Sequence, residues 1–481
     1  MLRQILFVAG LWLSFVIAFN NSWAQTDRLD TANFTAFIED VMEGSNTPGL
    51  AVIVFDAKNI RYERSFGIAG PDNRPVTSDT PFPIGSISKS FAALTLLQLA
   101  DEGKVNLDDP VASYLPEFQT RNHQRSENIT VRQILSHRSG FSTLDGNRIH
   151  GNGDESANAL QYALTHLSNA KLKYEPGEAF EYSNANYMVA AALIERITEL
   201  PYEAVIDTRI FQPMRMTKSY VHKPLRDTTK SATGYRQWFG KPVAHSAPSS
   251  RIWVAAGGVT SSANDIMTYL RAVASKDIRI LPKGAGEQLT ASQVDNPNPQ
   301  FDYALGWMLY EHAGRQIIYH SGLVGGFAAQ AAFYADDKSG VVVLTNQSGL
   351  LSADVPGVIV RKALGVPTGP THPSNGQKFL VWGMVLTTLI IAASAVLSTH
   401  RYNCYVKSVE RVPVYRRILP AIALFGLAFG VAFIAPQANG MTLGGMKVFF
   451  PDIWLCLLLS VVILIMWGLT RLLFPLKMQR D

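Results

Sequence analysis

The sequence predicts an α/β domain built on an antiparallel sheet and followed by three transmembrane helices. Segments rich in β-branched residues lie near both ends of the first 365 residues, and a helix-rich stretch from Asp108 to about residue 225 separates them. Three long apolar runs without charged residues come after residue 375. Strands from both ends would therefore join in one sheet with flanking helices and an inserted helical subdomain.

The composition limits the classes of function. The chain has 481 residues, 47% of them hydrophobic and 17% charged, and a net charge of +5. The charged fraction is below the usual share of about 25%, which indicates that membrane segments dilute a soluble part. No block of like charge or basic–aromatic stripe occurs, so we expect no nucleic-acid partner. Cys404 and Cys456 both come late, which excludes a disulfide framework or thiolate metal site.

Residues 1–24 have the pattern of a secretory signal peptide. Arg3 gives the positive start, Ile5–Phe19 is an apolar run, and Ser22-Trp23-Ala24 provides small residues before a cut ahead of Gln25. An uncleaved signal anchor is the alternative, because the apolar run is nearly long enough to span a bilayer. Both interpretations export the domain that follows, which we place at residues 25–365.

The strands of this domain are predicted from β-branched content and turn residues. Leu50–Phe55 and Ile60–Ile68 form an antiparallel hairpin near the start. Gln316–Tyr319, Gly326–Ala335 and Gly340–Thr345 form further strands near the end. These two groups supply the predicted sheet.

A serine and a lysine precede the most apolar helix of the domain. Phe91–Ala100 is apolar nearly all round and should be buried. Ser86 and Lys89 are three residues apart, so they share one face of the first turn. A desolvated lysine can act as the base that activates a serine hydroxyl. Alone the pair is weak evidence, since Ser86 could be an N-cap and the chain has a second copy at Ser168–Lys171.

Two further short motifs carry chemistry. In Tyr182-Ser183-Asn184, the tyrosine could relay a proton and the asparagine could hydrogen-bond a substrate amide. In His320-Ser321-Gly322, the glycine would let a substrate backbone lie along a strand edge. The alternatives are an ordinary turn before a helix and a strand end with a surface histidine.

Together and in this order, the three motifs resemble those of the penicillin-recognising serine hydrolases. The branch with class C β-lactamases, D-Ala-D-Ala carboxypeptidases, D-aminopeptidases and related esterases is the closer match. The resemblance covers roughly residues 30 to 350. It implies a serine β-lactamase/DD-peptidase-like fold and chemistry through an acyl-enzyme, without a metal or other cofactor.

The resemblance also implies catalytic roles. Ser86 would be the nucleophile that becomes acylated, and Lys89 and Tyr182 would share the general-base and general-acid work. The oxyanion hole would consist of the backbone N–H groups of Ser86 and Leu323.

Four residues are implied in substrate binding: Asn184, His320, Ser321 and Gly322. Class C β-lactamases carry a lysine where this chain has His320, and the charge of a histidine with a pKa of about 6.5 changes near neutral pH. The resemblance therefore favours D-peptides or esters over β-lactams. Lys338-Ser339-Gly340 and His312-Ala313-Gly314 match the same motif loosely, and we interpret both as solvated turns.

The C-terminal part is predicted to be a membrane anchor. A polar linker at 366–377 leads into a region, 378–475, that contains the uncharged runs Phe379–Ser398, Ile418–Ala435 and Ile453–Thr470. Residues 476–481 would form a short cytoplasmic tail.

The distribution of basic residues predicts the orientation of this anchor. The loop between the second and third runs contains one basic residue, Lys447, whereas the loop between the first and second runs contains five. These are Arg401, Lys407, Arg411, Arg416 and Arg417. The positive-inside rule then places this loop and the C-terminus in the cytoplasm and the catalytic domain outside. Gly426 and Gly430 form a small-residue face suited to helix packing.

The sequence thus predicts a multi-pass protein of the cell membrane, with an extracytoplasmic serine hydrolase domain on the periplasmic or outer face. Its partners would be membrane lipid and a small peptide or ester substrate, with a peptidoglycan stem peptide as one possibility. Two alternatives remain open: a β-lactamase, and a non-catalytic penicillin-binding-like sensor that signals through its helices.

Overall fold

The computed structural model describes residues 30–477 except for 150–151, 223–230, 247–249, 294–301, 353 and 410–411. The chain divides into two compact units, with the boundary between Pro373 and Ser374. The predicted signal peptide and the last four residues of the predicted tail lie outside the described residues.

The strands of the first unit are numbered along the chain. They are β1 (Gly49–Phe55), β2 (Ile60–Gly67), β3 (Phe82–Pro83), β4 (Tyr220–Val221), β5 (Gly234–Trp238), β6 (Lys241–His245), β7 (Val259–Ser261), β8 (Asp302–Tyr303), β9 (Met308–His312), β10 (Arg315–Val324), β11 (Phe327–Tyr334), β12 (Gly340–Thr345) and β13 (Gln347–Ser348).

Its helices are numbered in the same way. They are α1 (Thr31–Ser45), α2 (Ser88–Asp101), α3 (His123–Ser126), α4 (Val131–Leu135), α5 (Thr143–Asn147), α6 (Ala159–Leu167), α7 (Asn184–Thr198), α8 (Tyr202–Ile206), α9 (Gln212–Met214), α10 (Val254–Gly257), α11 (Ala263–Ser275), α12 (Ala285–Thr290) and α13 (Val355–Ala363).

The main sheet joins both ends of this unit, as predicted. Its strand order is β2-β1-β12-β11-β10-β9-β8, and all of its neighbouring strands are antiparallel. The pairing of β1 with β12, from Leu50↔Thr345 to Phe55↔Gly340, closes the sheet between the two chain ends. Two smaller sheets, β13-β5-β6 and β3-β7-β4, were not predicted from the sequence.

Side-chain alternation along the central strands separates two apolar cores. On β1, Ala51 and Ile53 face the core shared with α2, α7 and α11, whereas Leu50 and Val52 face the core shared with α1 and α13. The unit therefore has helices on both faces of its sheet.

Helix α2 is the most deeply buried helix of the larger core. Every residue from Ser88 to Leu99 is buried, which confirms the prediction for Phe91–Ala100. Phe91 stacks on Tyr269 of α11 with ring centroids 4.2 Å apart. This stack packs the first turns of α2 against α11, and the turn before α2 lies against β10.

The second unit contains the three predicted apolar helices. Its helices are α14 (Asn375–Lys407), α15 (Val414–Phe429), α16 (Ala435–Ala438), α17 (Leu443–Phe449) and α18 (Pro451–Lys477). The segments long and apolar enough to cross a membrane are Asn375–Lys407, Val414–Ala438 and Pro451–Leu473. The first of them begins inside the stretch predicted as linker.

Polar contacts join the apolar helices within this unit. Thr388 of α14 donates to the carbonyl oxygen of Cys456 on α18 and lies 3.1 Å from the hydroxyl of Ser460. A side chain at Gly426 or Gly430 would meet no described atom within 4 Å, so the small-residue face predicted for packing is open among the described residues.

Candidate active site

Ser86 lies in a 3₁₀ turn, Gly85–Ile87, that leads directly into α2. The N-cap position of α2 is Ile87, and no side chain caps the helix there. Ser86 is therefore not the N-cap that the sequence left open as an alternative. Its side chain is partly exposed and points toward Lys89, one turn further on.

Lys89 is fully buried and bonded to three oxygens. Its Nζ lies 2.9 Å from Ser86 Oγ. It also donates to Asn184 Oδ1 at 2.9 Å and to the carbonyl oxygen of Ala256 at 2.7 Å. Burial holds the pKa of Lys89 well below its usual value of 10.5, so the neutral amine is favoured.

A neutral amine can satisfy all three of these partners. A neutral amine has two N–H donors and one lone pair, and the oxygens of Asn184 and Ala256 can only accept. The remaining partner, Ser86, carries a hydroxyl that can donate to the lone pair. The arrangement can therefore draw the proton from Ser86.

Tyr182 also contacts Ser86 and lies just before α7. Its hydroxyl forms a hydrogen bond with the Ser86 side chain, and its ring centroid is 5.0 Å from Lys89 Nζ. Burial raises the pKa of Tyr182, and its hydrogen bond with Ser86 only partly opposes this shift. The phenol therefore stays protonated at neutral pH and can pass a proton on.

Asn184 is the first residue of α7, and both the oxygen and the nitrogen of its side-chain amide form hydrogen bonds. Its Oδ1 accepts from Lys89, and its Nδ2 donates to Asn147 Oδ1 at 3.0 Å. The side chain thus holds the lysine in place. The contact with a substrate amide stays a prediction.

The predicted oxyanion hole depends on a close approach of two backbone segments. Gly85 has φ +54°, and a side chain there would lie 2.5 Å from the amide nitrogen of Leu323 on β10. A side chain at Gly322 would collide with the carbonyl oxygen of Ile84. Glycine at both positions therefore brings the backbone of Leu323 next to that of Ser86.

The same stretch of β10 has one open edge. Strand β9 pairs with β10 only as far as Tyr319, so residues 320–324 have no strand partner on that side among the described residues. An extended peptide could add to such an edge through backbone hydrogen bonds.

His320 is fully buried, which corrects both expectations for it. Its Nε2 lies 3.3 Å from the Tyr303 hydroxyl and its Nδ1 lies 2.7 Å from the Ser321 carbonyl oxygen. Burial, helped by the nearby Lys89, lowers the pKa of His320 to about 3. The predicted change of charge near neutral pH is therefore wrong, and so is the alternative of a surface histidine.

Ser321 points to the opposite face of the sheet from His320, as strand alternation requires. Its hydroxyl donates to Gln330 Oε1 at 3.2 Å, directly across the strand pair. This geometry does not favour the predicted contact between the Ser321 hydroxyl and a substrate, whereas its backbone belongs to the open edge.

Sequence reasoning missed an aromatic cluster beside the predicted catalytic residues. Its centre is His137, whose ring centroid lies 4.3 Å from that of Tyr182, 4.9 Å from Tyr303 and 5.4 Å from Tyr187. Tyr303 and Tyr187 are fully buried. One signal in the sequence could have pointed to this cluster. His137 follows the end of a helical segment, at a position where glycine is common.

A protein-family model described as Beta-lactamase matches residues 34–362, which is more than half of the chain. The chain belongs to the beta-lactamase family. This membership accounts for the arrangement of the sheet and of α2, and it confirms the predicted fold.

Two curated relatives of this beta-lactamase-family chain illustrate the range of the family. Protein flp of Staphylococcus aureus (strain N315) is 26% identical over 332 residues, which cover 68% of this chain and 64% of the relative. D-aminopeptidase of Brucella anthropi is 27% identical over 349 residues, which cover 70% of this chain and 64% of the relative. This chain therefore spans about 64% of the length of each of these two relatives.

A solved structure shows the same fold. The octameric penicillin-binding protein homologue from Pyrococcus abyssi has a TM-score of 0.61 and 26% identity, over 75% of this chain and 82% of that chain. The match agrees with the antiparallel sheet and the buried α2.

The other motif copies of this beta-lactamase-family domain lie in turns and at a helix end. Ser168 ends α6 and its hydroxyl donates to the Thr165 carbonyl oxygen, while Lys171 is exposed. The Ser339 hydroxyl donates a hydrogen bond to Asp337 Oδ1 in the turn between β11 and β12. His312 ends β9, and Ala313 and Gly314 form the turn into β10. The interpretation of the last two as turns is confirmed.

We expect Gly322→Ala to reduce kcat/KM by about 100-fold or more, because its methyl group would push β10 away from Ile84 and remove one oxyanion donor. Gly314→Ala is the matched control, since it strains the turn into the same strand but meets no described atom within 4 Å. Hydrolysis of a chromogenic ester and the Tm of both variants provide the measurement. An unchanged kcat/KM in Gly322→Ala would contradict the need for this close approach.

Proposed function

We propose that this chain is a membrane-anchored serine hydrolase that transfers an acyl group from its substrate to Ser86 and then to water. The observation that carries the proposal is the fully buried Lys89, whose amine lies 2.9 Å from Ser86 Oγ. A lysine kept out of water for structural reasons alone would be costly, whereas a base needs a neutral amine.

Acylation begins with the transfer of the Ser86 proton to the neutral amine of Lys89. Ser86 Oγ then attacks the substrate carbonyl carbon, and the carbonyl oxygen becomes an oxyanion. The backbone N–H groups of Ser86 and Leu323 stabilise this charge. Collapse of the tetrahedral species breaks the bond to the leaving nitrogen or oxygen, and Tyr182 hands that atom its proton while taking one from Lys89.

Deacylation uses the same groups in reverse. Water loses a proton to the neutral amine of Lys89 and attacks the acyl carbon. The carboxylic acid then leaves, and Ser86 Oγ takes that proton back from Lys89. All atoms are accounted for without a metal, and both catalytic groups return to their starting protonation states.

The substrate is a D-amino-acid peptide of cell-wall type or an ester. Three observations support this class. The edge of β10 at residues 320–324 is open to an extended peptide. His320 is buried and neutral, so it offers no fixed charge to the carboxylate of a β-lactam. A relative that is 27% identical is named D-aminopeptidase.

The apolar helices anchor the catalytic unit at the membrane, with that unit outside the cytoplasm. The signal-like pattern of residues 1–24 and the five basic residues between the first two spans support this orientation independently. The loop between α14 and α15, residues 408–413, is too short to hold an output domain for a sensor.

A fluorophosphonate probe should label Ser86, and Ser86→Ala should abolish both labelling and turnover, because the hydroxyl is the nucleophile. Ser168→Ala, in the second copy of the motif, is the matched control and should keep both. Gel fluorescence and mass mapping of the labelled peptide provide the measurement. Labelling that survives in Ser86→Ala would defeat the assignment.

A reporter fused after Asp481 should be active only in the cytoplasm, and one fused after Gly365 should be active only outside it. The reason is that the basic residues of the loop between the first two spans keep that loop on the cytoplasmic side. Paired alkaline phosphatase and fluorescent-protein fusions measure the two locations. The reverse pattern at either position would rule out the three-span orientation.

A further inference from the structure

His137 lies where helix α4 ends and has a backbone conformation that favours glycine. Its φ is +57°, and the next residue, Arg138, donates its N–H to the Gln133 carbonyl oxygen at 2.8 Å to close the helix. Glycine avoids the steric cost of this conformation, so a histidine here calls for an explanation in its side chain.

The ring of His137 accepts two hydrogen bonds at one nitrogen. Its Nδ1 lies 3.2 Å from the backbone nitrogen of Ser183 and 2.9 Å from Asn186 Nδ2. Both of these groups are donors, so Nδ1 carries no proton and the proton of the neutral ring is on Nε2. The carbonyl oxygen of His137 also accepts from the Glu181 N–H at 2.9 Å.

These bonds hold the segment that contains two catalytic-site residues. Ser183 lies between Tyr182 and Asn184, and the anchored residues Glu181 and Asn186 flank them. The Tyr182 ring also packs on the imidazole. A shift of His137 would therefore move the Tyr182 hydroxyl and the Asn184 amide together.

The surroundings keep this ring neutral. His137 is fully buried, and its Nε2 has no hydrogen-bond partner among the described residues. Burial is the main cause that lowers the pKa of His137 well below 6.5, and positive charge on Lys89 or His320 would lower it further. The facing titratable groups, Tyr182, Tyr187 and Tyr303, are phenols whose pKa values are raised by burial.

We propose that His137 is a positioning residue: through Nδ1 its neutral ring fixes the segment Tyr182-Ser183-Asn184, so that Tyr182 reaches Ser86 and Asn184 reaches Lys89. This proposal rests on the proposed function, because it assigns the purpose of the anchoring to the hydrolytic reaction. His137 itself touches neither the substrate nor the reacting atoms.

Two substitutions separate the acceptor from the ring. His137→Phe keeps a ring beside Tyr182 but leaves the Ser183 N–H and the Asn186 amide without their acceptor. His137→Asn loses the ring but places an amide oxygen near the position of Nδ1, and asparagine tolerates the positive φ. We expect kcat per active site to fall about 100-fold in His137→Phe, because a small misplacement of catalytic groups costs about that much in rate. In His137→Asn we expect a fall of less than tenfold.

The measurement uses the full chain in detergent, with active sites counted by the fluorophosphonate probe. Leu193→Ala is the control for lost stability, since it opens a cavity in the fully buried part of α7 and should lower Tm without changing kcat per counted site. If His137→Phe does not accumulate as folded protein, His137→Gln takes its place. Its amide oxygen lies one bond further from the backbone than that of asparagine, so we expect kcat per active site to fall at least tenfold.

Each outcome decides the proposal. A kcat in His137→Phe, or in its replacement, within twofold of the parent value would overturn it, and so would equal losses in the phenylalanine and asparagine variants. Failure of the proposed function has a different signature, because the probe would then not label Ser86 in the parent protein at all.

Discussion

The removal of Lys89 from water is the constraint on which the rest of the site depends. A buried ammonium without a carboxylate partner is strongly disfavoured, and none of the ion pairs found among the described residues includes Lys89. The burial of apolar side chains along α2 stabilises this position of the amine, and the same burial lowers the pKa of Lys89 as the proposed base requires.

Three separate parts of the chain converge on this amine. Helix α2 carries it, the start of α7 provides the Asn184 oxygen, and α10 provides the Ala256 carbonyl. The close contact of Gly85 with β10 adds the amide of Leu323 on the other side of the serine. Chemistry at Ser86 thus depends on the docking of the helical region onto the sheet.

The sequence could predict what local spacing encodes. Ser86 and Lys89 share a helix turn, and the three apolar helices follow from length and lack of charge. Contacts between distant residues left no local trace, such as the bond between Lys89 and Ala256 across 167 residues. His320 was misjudged for the same reason, because its pKa depends on burial beside Tyr303 and Lys89, and strand alternation alone does not reveal that.

The most direct test of this account is the pH dependence of the rate at which a fluorophosphonate inactivates Ser86. Because burial lowers the pKa of Lys89, the neutral base is present above that lowered value. The rate should therefore reach its plateau well below pH 10.5 and fall as the pH drops through the lowered pKa. Lys89→Arg, charged throughout, should react about 10²–10⁴-fold more slowly. A rate that keeps rising to pH 10.5, or an arginine variant as fast as the parent, would contradict the account.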